Sequence, residues 1–262
     1  MKPQLLIIQL YLNMIFLVLV VLGHYLLINI IFHFFMALLT SPGRPPTERV
    51  LEQVSSICKK CIAPKPPRTH HCSVCNTCIL NMDHHCPWLN NCVGHHNHRH
   101  FFLYMVFMVM GCAFIMTFGF EIFYEEFHEH WWGEEGGERM SRKYPGQNIG
   151  VFTRKSLIFY ESFISSGCFL ALGGLCAWHA RLINAGQTSI EAHINRSEEK
   201  RFADLGKKYR NPYNFGPLHN WYLFLGRTEK QTILSNQTSV FRFGRWCGLG
   251  LDNFPLKTCT SW

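Results

Sequence analysis

Apolar and polar residues along this chain fall into long blocks rather than short amphipathic periods. Residues 5–39 form a nearly charge-free apolar stretch broken only by scattered polar side chains. A membrane span needs about 20 residues. The block is therefore too long for one ordinary span and too short for two with a loop between them. The better single span covers 23–39 and ends at Ser41-Pro42-Gly43 and Pro45-Pro46. Residues 5–22 are expected to form another span crowded against it. The apolar run continues without a small-residue cleavage site, which argues against a cleavable signal peptide. Two further apolar blocks, 101–120 and 157–180, each have the length of a span. Glu161 lies near one end of the last and reads as an interfacial residue.

The segments between these blocks alternate in charge. Residues 42–100 are polar, basic and rich in Cys and His, and are expected to form one compact metal-dependent module. Residues 121–156 carry seven glutamates before Arg139, and the chain turns basic again from 181. Basic loops stay on the cytosolic side. This pattern predicts an N-terminal transmembrane region (1–41), a cytosolic module (42–100), a span (101–120), a lumenal loop (121–156), a span (157–180) and a cytosolic C-terminal region (181–262). Within the last, 195–210 can form an amphipathic surface helix. Residues 211–226 are rich in Gly, Pro and aromatics, and beyond 227 no periodicity commits to structure.

Composition agrees. Only 16% of the 262 residues are charged, against about 25% for an average soluble domain, and there are 22 Phe. The net charge of +8 sits next to the apolar blocks, which assigns it to membrane topology and excludes nucleic acid as its partner.

Seven of the twelve cysteines lie between 58 and 92, together with six histidines between 70 and 96. Paired C-x2-C motifs mixed with His favour zinc over a disulfide scaffold. An internal repeat assigns the ligands. A shift of 14 residues carries Cys58 to Cys72, Cys61 to Cys75, His71 to His85, and Cys78 to Cys92. Two interleaved copies of C-x2-C-x9-H-x6-C result, each with the three Cys and one His of a closed structural zinc site. His70 and His84 belong to a shifted series without a Cys set of its own and are expected not to be ligands. Cys86 is left over.

Cys86 stands in Asp83-His84-His85-Cys86-Pro87-Trp88. A free thiol is only a few per cent thiolate at neutral pH. His84 can take its proton and Asp83 can hold that imidazole in one tautomer. Pro87 turns Cys86 away from helical geometry, so the thiol is expected on a loop.

The stretch CKKCIAPKPPRTHHCSVCNTCILNMDHHCPWLNNCVGHHNHRHFF closely resembles the DHHC protein acyltransferases. Within that family CPWLNNCVGHHNHR, TSIEAHIN and NPYNFG resemble the Abl-philin-2-like branch. The resemblance implies an α-helical multi-pass membrane protein with four spans and a cytosolic double-zinc module. It implies that Cys86 attacks palmitoyl-CoA and passes the acyl group to cysteines of substrate proteins at the lipid bilayer. His84 then resembles the general base, Asp83 its orienting acid, and Cys58, Cys61, His71, Cys78, Cys72, Cys75, His85 and Cys92 the ligands of two structural Zn2+ ions. Thr188-Ser189-Ile190-Glu191 resembles the Thr-Thr-x-Glu motif, with Ser at the second position, and Asn211 to Gly226 resembles a C-terminal motif that packs on the catalytic module. Both also read as ordinary cap and turn chemistry. The implied compartment is the endoplasmic reticulum, with the Golgi second. The implied first span is crowded or cut short here, as in a late gene start or a shortened isoform.

A palmitoyl chain has about fourteen methylenes, on the order of 11 kcal/mol of membrane preference. The acyl chain is therefore expected among the spans and the thiol at the cytosolic surface. Gly111, Gly119, Gly167, Gly173 and Gly174 can leave room for it or pack helices closely. Lys59, Lys60, Lys65, Arg68 and Arg99 can meet CoA phosphates or simply obey the positive-inside bias. Trp88 can lie against the acyl chain or anchor at the interface. Two other classes remain open: a membrane-anchored zinc interaction module such as a RING-type ligase, and a catalytically inactive adaptor.

Overall fold

The structure, a computed structural model, describes residues 3–45, 56–132 and 148–226. It divides into two compact units, Met1–Phe34 with Leu103–Cys176, and Phe35–Phe102 with Ala177–Trp262.

The first unit is built from the apolar lengths of three helices, α1 (Pro3–Leu39), α2 (His98–Trp132) and α3 (Asn148–Asn184). Each contains a stretch long and apolar enough to cross a membrane: Ile7–Leu39, His98–His128 and Ser156–Asn184. The two crowded spans expected from residues 5–39 are one unbroken helix. Its candidate span of 33 residues is roughly 50 Å long against about 30 Å of hydrocarbon. The polar residues that interrupt the apolar run are absorbed within the helix. His24 Nδ1 lies 2.7 Å from the Val20 carbonyl, and Asn29 Nδ2 donates to the Tyr25 carbonyl at 2.8 Å. Side chains satisfied within their own helix give it no reason to break. Outward-facing Ile, Leu, Val and Phe cover most of α1, as suits a lipid-facing surface.

Aromatic contacts join these helices. Phe107 of α2 stacks on His33 at 5.5 Å and meets Tyr25 edge-on at 6.2 Å, and Phe123 of α2 meets Phe159 of α3 at 5.6 Å. A Cβ on Gly111 would stand 3.1 Å from Ile30 Cδ1, so this glycine serves close packing; Gly119, Gly167, Gly173 and Gly174 face open space. Both α2 and α3 extend beyond their apolar blocks; in α2, Glu121, Glu125 and Glu126 end the hydrophobicity without weakening helix propensity.

The second unit holds three two-stranded antiparallel hairpins: β1 (Ser56–Cys58) with β2 (Ala63–Lys65), β3 (His70–Cys72) with β4 (Thr77–Ile79), and β5 (His84–Cys86) with β6 (Asn91–Val93). Equivalent positions recur every 14 residues. The opening pairs are Ser56↔Lys65, His70↔Ile79 and His84↔Val93. Ile62, Asn76 and Asn90, also 14 apart, each turn with positive φ, 50°, 50° and 45°. Asn tolerates that conformation, whereas Ile is strained there and needs its surroundings to hold it. Gly94 lets the hairpins close on one another, since a Cβ there would stand 2.7 Å from Ile79 Cγ2 and 2.8 Å from the Pro42 carbonyl. The fully buried Asn97 receives the Gly94 N–H and donates to the Ala37 and Cys92 carbonyls, tying β6 to the helix ends.

Helix α3 ends in a Schellman turn at Gly186, φ 63°. Helix α4 (Ser189–Asp204) follows at once, so the amphipathic helix expected over 195–210 begins and ends six residues earlier. A capping box on Thr188 and Glu191 sets its start, and Gly206 at φ 66° closes its end. Helix α5 (Pro217–Phe224) completes the unit. Residues 227–262 lie outside the described residues.

Candidate functional site

Strand alternation decides what each histidine faces, because neighbouring side chains point to opposite sides. His71 and His85, second in their strands, turn toward the cysteines; His70 and His84 turn away. Cys58, Cys61, His71 and Cys78 converge as one ligand group, and Cys72, Cys75, His85 and Cys92 as another. Cys61 Sγ lies 3.2 Å and Cys58 Sγ 3.6 Å from His71 Nδ1, and Cys78 Sγ is 3.7 Å from Cys61 Sγ. In the second group, Cys75 and Cys92 lie 3.4 and 3.6 Å from His85 Nδ1 and 3.5 Å from each other. Four donors around one zinc ion stand about 3.5–3.8 Å apart, given metal–ligand bonds of about 2.0–2.3 Å. Both groups can therefore hold such an ion. Backbone N–H groups of Cys61 and Cys75 already point at the Cys58 and Cys72 sulfurs, at 3.5 and 3.3 Å. Burial and the neighbouring Cys58 and Cys61 sulfurs push the Cys78 thiol up to about 12, a repulsion that a bound cation removes.

Cys86 ends β5 in extended conformation, φ −100° and ψ 110°, and opens the 3-10 turn Pro87–Leu89. It is thus a strand residue rather than a loop residue, and it is buried. Burial raises its thiol, but His84 and the N–H groups of Leu89 and Trp88 outweigh this and lower it. The third hairpin explains those amides. Cys86 continues the series Cys58, Cys72 at the same hairpin position, and its turn supplies the same N–H donors. Where Cys61 and Cys75 provide the next ligand, this copy has Leu89. The 14-residue shift carried this signal, and it escapes a search confined to complete ligand sets.

His84 Nδ1 lies 2.7 Å from Asp83 Oδ2, which leaves its other nitrogen for Cys86. Asp83 is fully buried and also accepts the Ser189 N–H on Oδ1 (2.7 Å) and the Ser189 hydroxyl on Oδ2 (2.9 Å). Burial would raise its carboxyl, yet His84 and the other donors hold it well below the usual range. Burial pulls the His84 imidazole down, but Asp83 and Cys86 raise it to about 9. The arrangement can keep an imidazolium between a carboxylate and a thiolate.

Thr188-Ser189-Ile190-Glu191 combines both of its readings, capping α4 while Ser189 clamps Asp83 and Glu191 takes Arg68 Nε and Nη2, both at 2.6 Å. Arg68 also stacks on Tyr213 at 4.6 Å, and Arg99 Nη1 donates to the Leu225 carbonyl at 3.1 Å. These two basic residues are thus engaged within the fold; Lys59 and Lys60 are exposed. Asn220 donates to the Asn184 carbonyl at 2.9 Å, and Asn211 to the Ala185 carbonyl at 2.9 Å, which docks the 211–226 segment against the end of α3. Trp88 is 90% exposed. His98, which the 14-residue shift reaches from His70 and His84, and His179, a site neighbour with no sequence signal, join Phe101 around His84.

The sequence model of the DHHC palmitoyltransferase family matches residues 52–196. The chain is 48% identical over 207 residues to palmitoyltransferase ZDHHC16 of Mus musculus (78% of this chain, 55% of the relative). It is 46% identical over 215 residues to palmitoyltransferase ZDHHC16 of Homo sapiens (78% and 57%). With palmitoyltransferase ZDHHC16A of Danio rerio it is 40% identical over 267 residues (90% and 68%). The chain thus spans little more than half the length of the first two relatives.

Proposed function

The chain belongs to the DHHC palmitoyltransferase family, and from that premise we propose that it is a membrane-embedded protein S-palmitoyltransferase whose acyl carrier is Cys86. The observation that carries this reading is the alignment of Asp83, His84 and Cys86, braced by Ser189.

In the first step the Cys86 thiol gives its proton to His84, and the sulfur attacks the thioester carbonyl of palmitoyl-CoA. The carbon–sulfur bond to CoA breaks, and His84 returns the proton to the departing thiolate. In the second step a substrate cysteine gives its proton to His84 and attacks the Cys86 thioester, and Cys86 leaves with that proton. Asp83 keeps His84 in the tautomer with Nδ1–H toward the carboxylate. Cys58, Cys61, His71 and Cys78, and Cys72, Cys75, His85 and Cys92, would each hold a structural zinc ion, which would supply folding energy rather than chemistry to the module. Basic flanks 42–100 and 181–262 support the cytosolic face for this chemistry, and the family resemblance favours the endoplasmic reticulum, with the Golgi second.

Purified protein given palmitoyl-CoA should become acylated at Cys86 through a bond that hydroxylamine cleaves, and should pass the acyl group to a cysteine-containing acceptor. A Cys86→Ser variant that still forms this labile acyl-enzyme and transfers it would overturn the reading. Asn195, in the formal glycosylation triplet Asn195-Arg196-Ser197, already donates to Gln187 at 2.7 Å and accepts from Tyr209 at 2.7 Å. A glycan found there would reverse the assigned orientation.

A further inference from the structure

The chemistry proposed for Cys86 uses Asp83 and His84 and leaves two histidines beside them without a task. His179 lies near the end of α3 and His98 at the start of α2. His179 is 2% exposed, and its Nδ1 has no hydrogen-bond partner; His98 Nε2 is buried and unpartnered in the same way. The His179 ring stands 5.9 Å from that of His84, 5.4 Å from Phe101 and 5.6 Å from His98. Phe101 meets His84 edge-on at 5.3 Å, and Phe224 backs His98 at 5.1 Å. Asp83, His84 and His179 each bring a nitrogen or oxygen within 4.8 Å of the others.

Packing alone does not account for a histidine at 179. A phenylalanine would fill the same ring-lined space without burying an unpaired nitrogen, which costs free energy. One ring nitrogen of His179 lies within 4.8 Å of the polar atoms of Asp83 and His84. We propose that His179 is a positioning residue for acyl transfer. Its polar edge and its contact with His84 hold the plane of that imidazole, one nitrogen on Asp83 and the other toward Cys86, through both steps. This rests on the acyltransferase reading above.

The test is His179→Phe in the full-length, metal-loaded protein in detergent or nanodiscs, with His179→Gln alongside. His179→Phe should raise Tm, keep the wild-type metal content, leave KM for palmitoyl-CoA within about twofold, and lower kcat for hydroxylamine-labile acylation by roughly ten- to a hundredfold. His179→Gln, which restores a polar edge, should recover part of that loss. A purely structural role would move stability and turnover in the same direction. Wild-type kcat in His179→Phe overturns the inference, as does a loss confined to KM, or a loss of turnover accompanied by lower Tm or lost metal. A wild-type protein that forms no acyl-enzyme removes the acyltransferase reading itself, an outcome distinct from any of these.

Discussion

The third hairpin and the two before it share one backbone and differ in what that backbone holds. In β1–β2 and β3–β4 the sulfur at the third strand position, Cys58 or Cys72, meets a second cysteine three residues on, a histidine 13 on and a third cysteine 20 on. In β5–β6 the same position is Cys86, and the corresponding places hold Leu89, Arg99 and Val106. The amides that point at the Cys58 and Cys72 sulfurs in the first two copies remain in the third, where His84 takes the place that a metal ion could fill in the others. A ligand position becomes a candidate nucleophile when its co-ligands are removed and its environment is kept.

The sharpest way to break this comparison is to exchange the two kinds of cysteine. Cys72→Ser should lose metal from its site and with it the fold of the module, because a structural site contributes folding energy directly. Cys86→Ser should keep both metals and near-normal expression while acylation falls to background. Metal analysis beside a hydroxylamine-sensitive label decides between them. Chelation of the wild type should resemble the first variant.

The next comparison is between neighbours. His84→Ala should retain both metals and slow acylation by about 10²–10⁴-fold, whereas His85→Ala should lose metal. His84 lowers the Cys86 thiol, so its removal should shift the alkaline rise of the rate to higher pH and relieve part of the defect there. Stability follows the same pair. The contribution of His84, whose folded value is raised to about 9, is present below its ordinary value of about 6.5 and lost as pH rises through 9. The contribution of Asp83, whose value is lowered, is present above the ordinary carboxylate range and lost on acidification. Denaturation followed from pH 6 to 10 should show the loss in wild type and not in His84→Ala.

A smaller effect separates the third hairpin through its brace. Ser189→Ala removes one hydroxyl from Asp83 but keeps the backbone N–H. Acylation should slow about tenfold, the worth of one hydrogen bond to a charged group, and Ser189→Thr should stay near wild type. The smallest effect belongs to the exposed Arg201–Glu198 pair on α4, at 2.6 Å. Arg201→Ala should cost less than about 1 kcal/mol and leave acylation unchanged.

Much of the metal architecture was legible because a closed site dictates ligand spacing over short distances. The interval of 14 residues reports hairpin length, and strand alternation separates His71 from His70 and His85 from His84. The long apolar blocks were legible for a similarly local reason, since lipid demands about 20 apolar residues in a row. Local pattern misled at residues 5–39, where the length of the apolar block implied two crowded spans. Gln9, Asn13, His24 and Asn29 interrupt the hydrophobicity of α1, yet each is engaged by a bond to a residue four positions away within the same helix, Gln9 to Asn13 among them.

By itself, the sequence determined the two Cys3His groupings, the spare Cys86 and the three apolar blocks, because each is enforced by residues close together along the chain, whereas the structure decided that the first block is one helix. Only the tertiary structure decided what surrounds Asp83 and His84. Ser189 reaches Asp83 across 106 positions, and Glu191 reaches Arg68 across 123. His179 meets His84 by the packing of α3, which no spacing announces. Such contacts depend on how separate elements dock, and docking is set by the whole buried surface rather than by any local period.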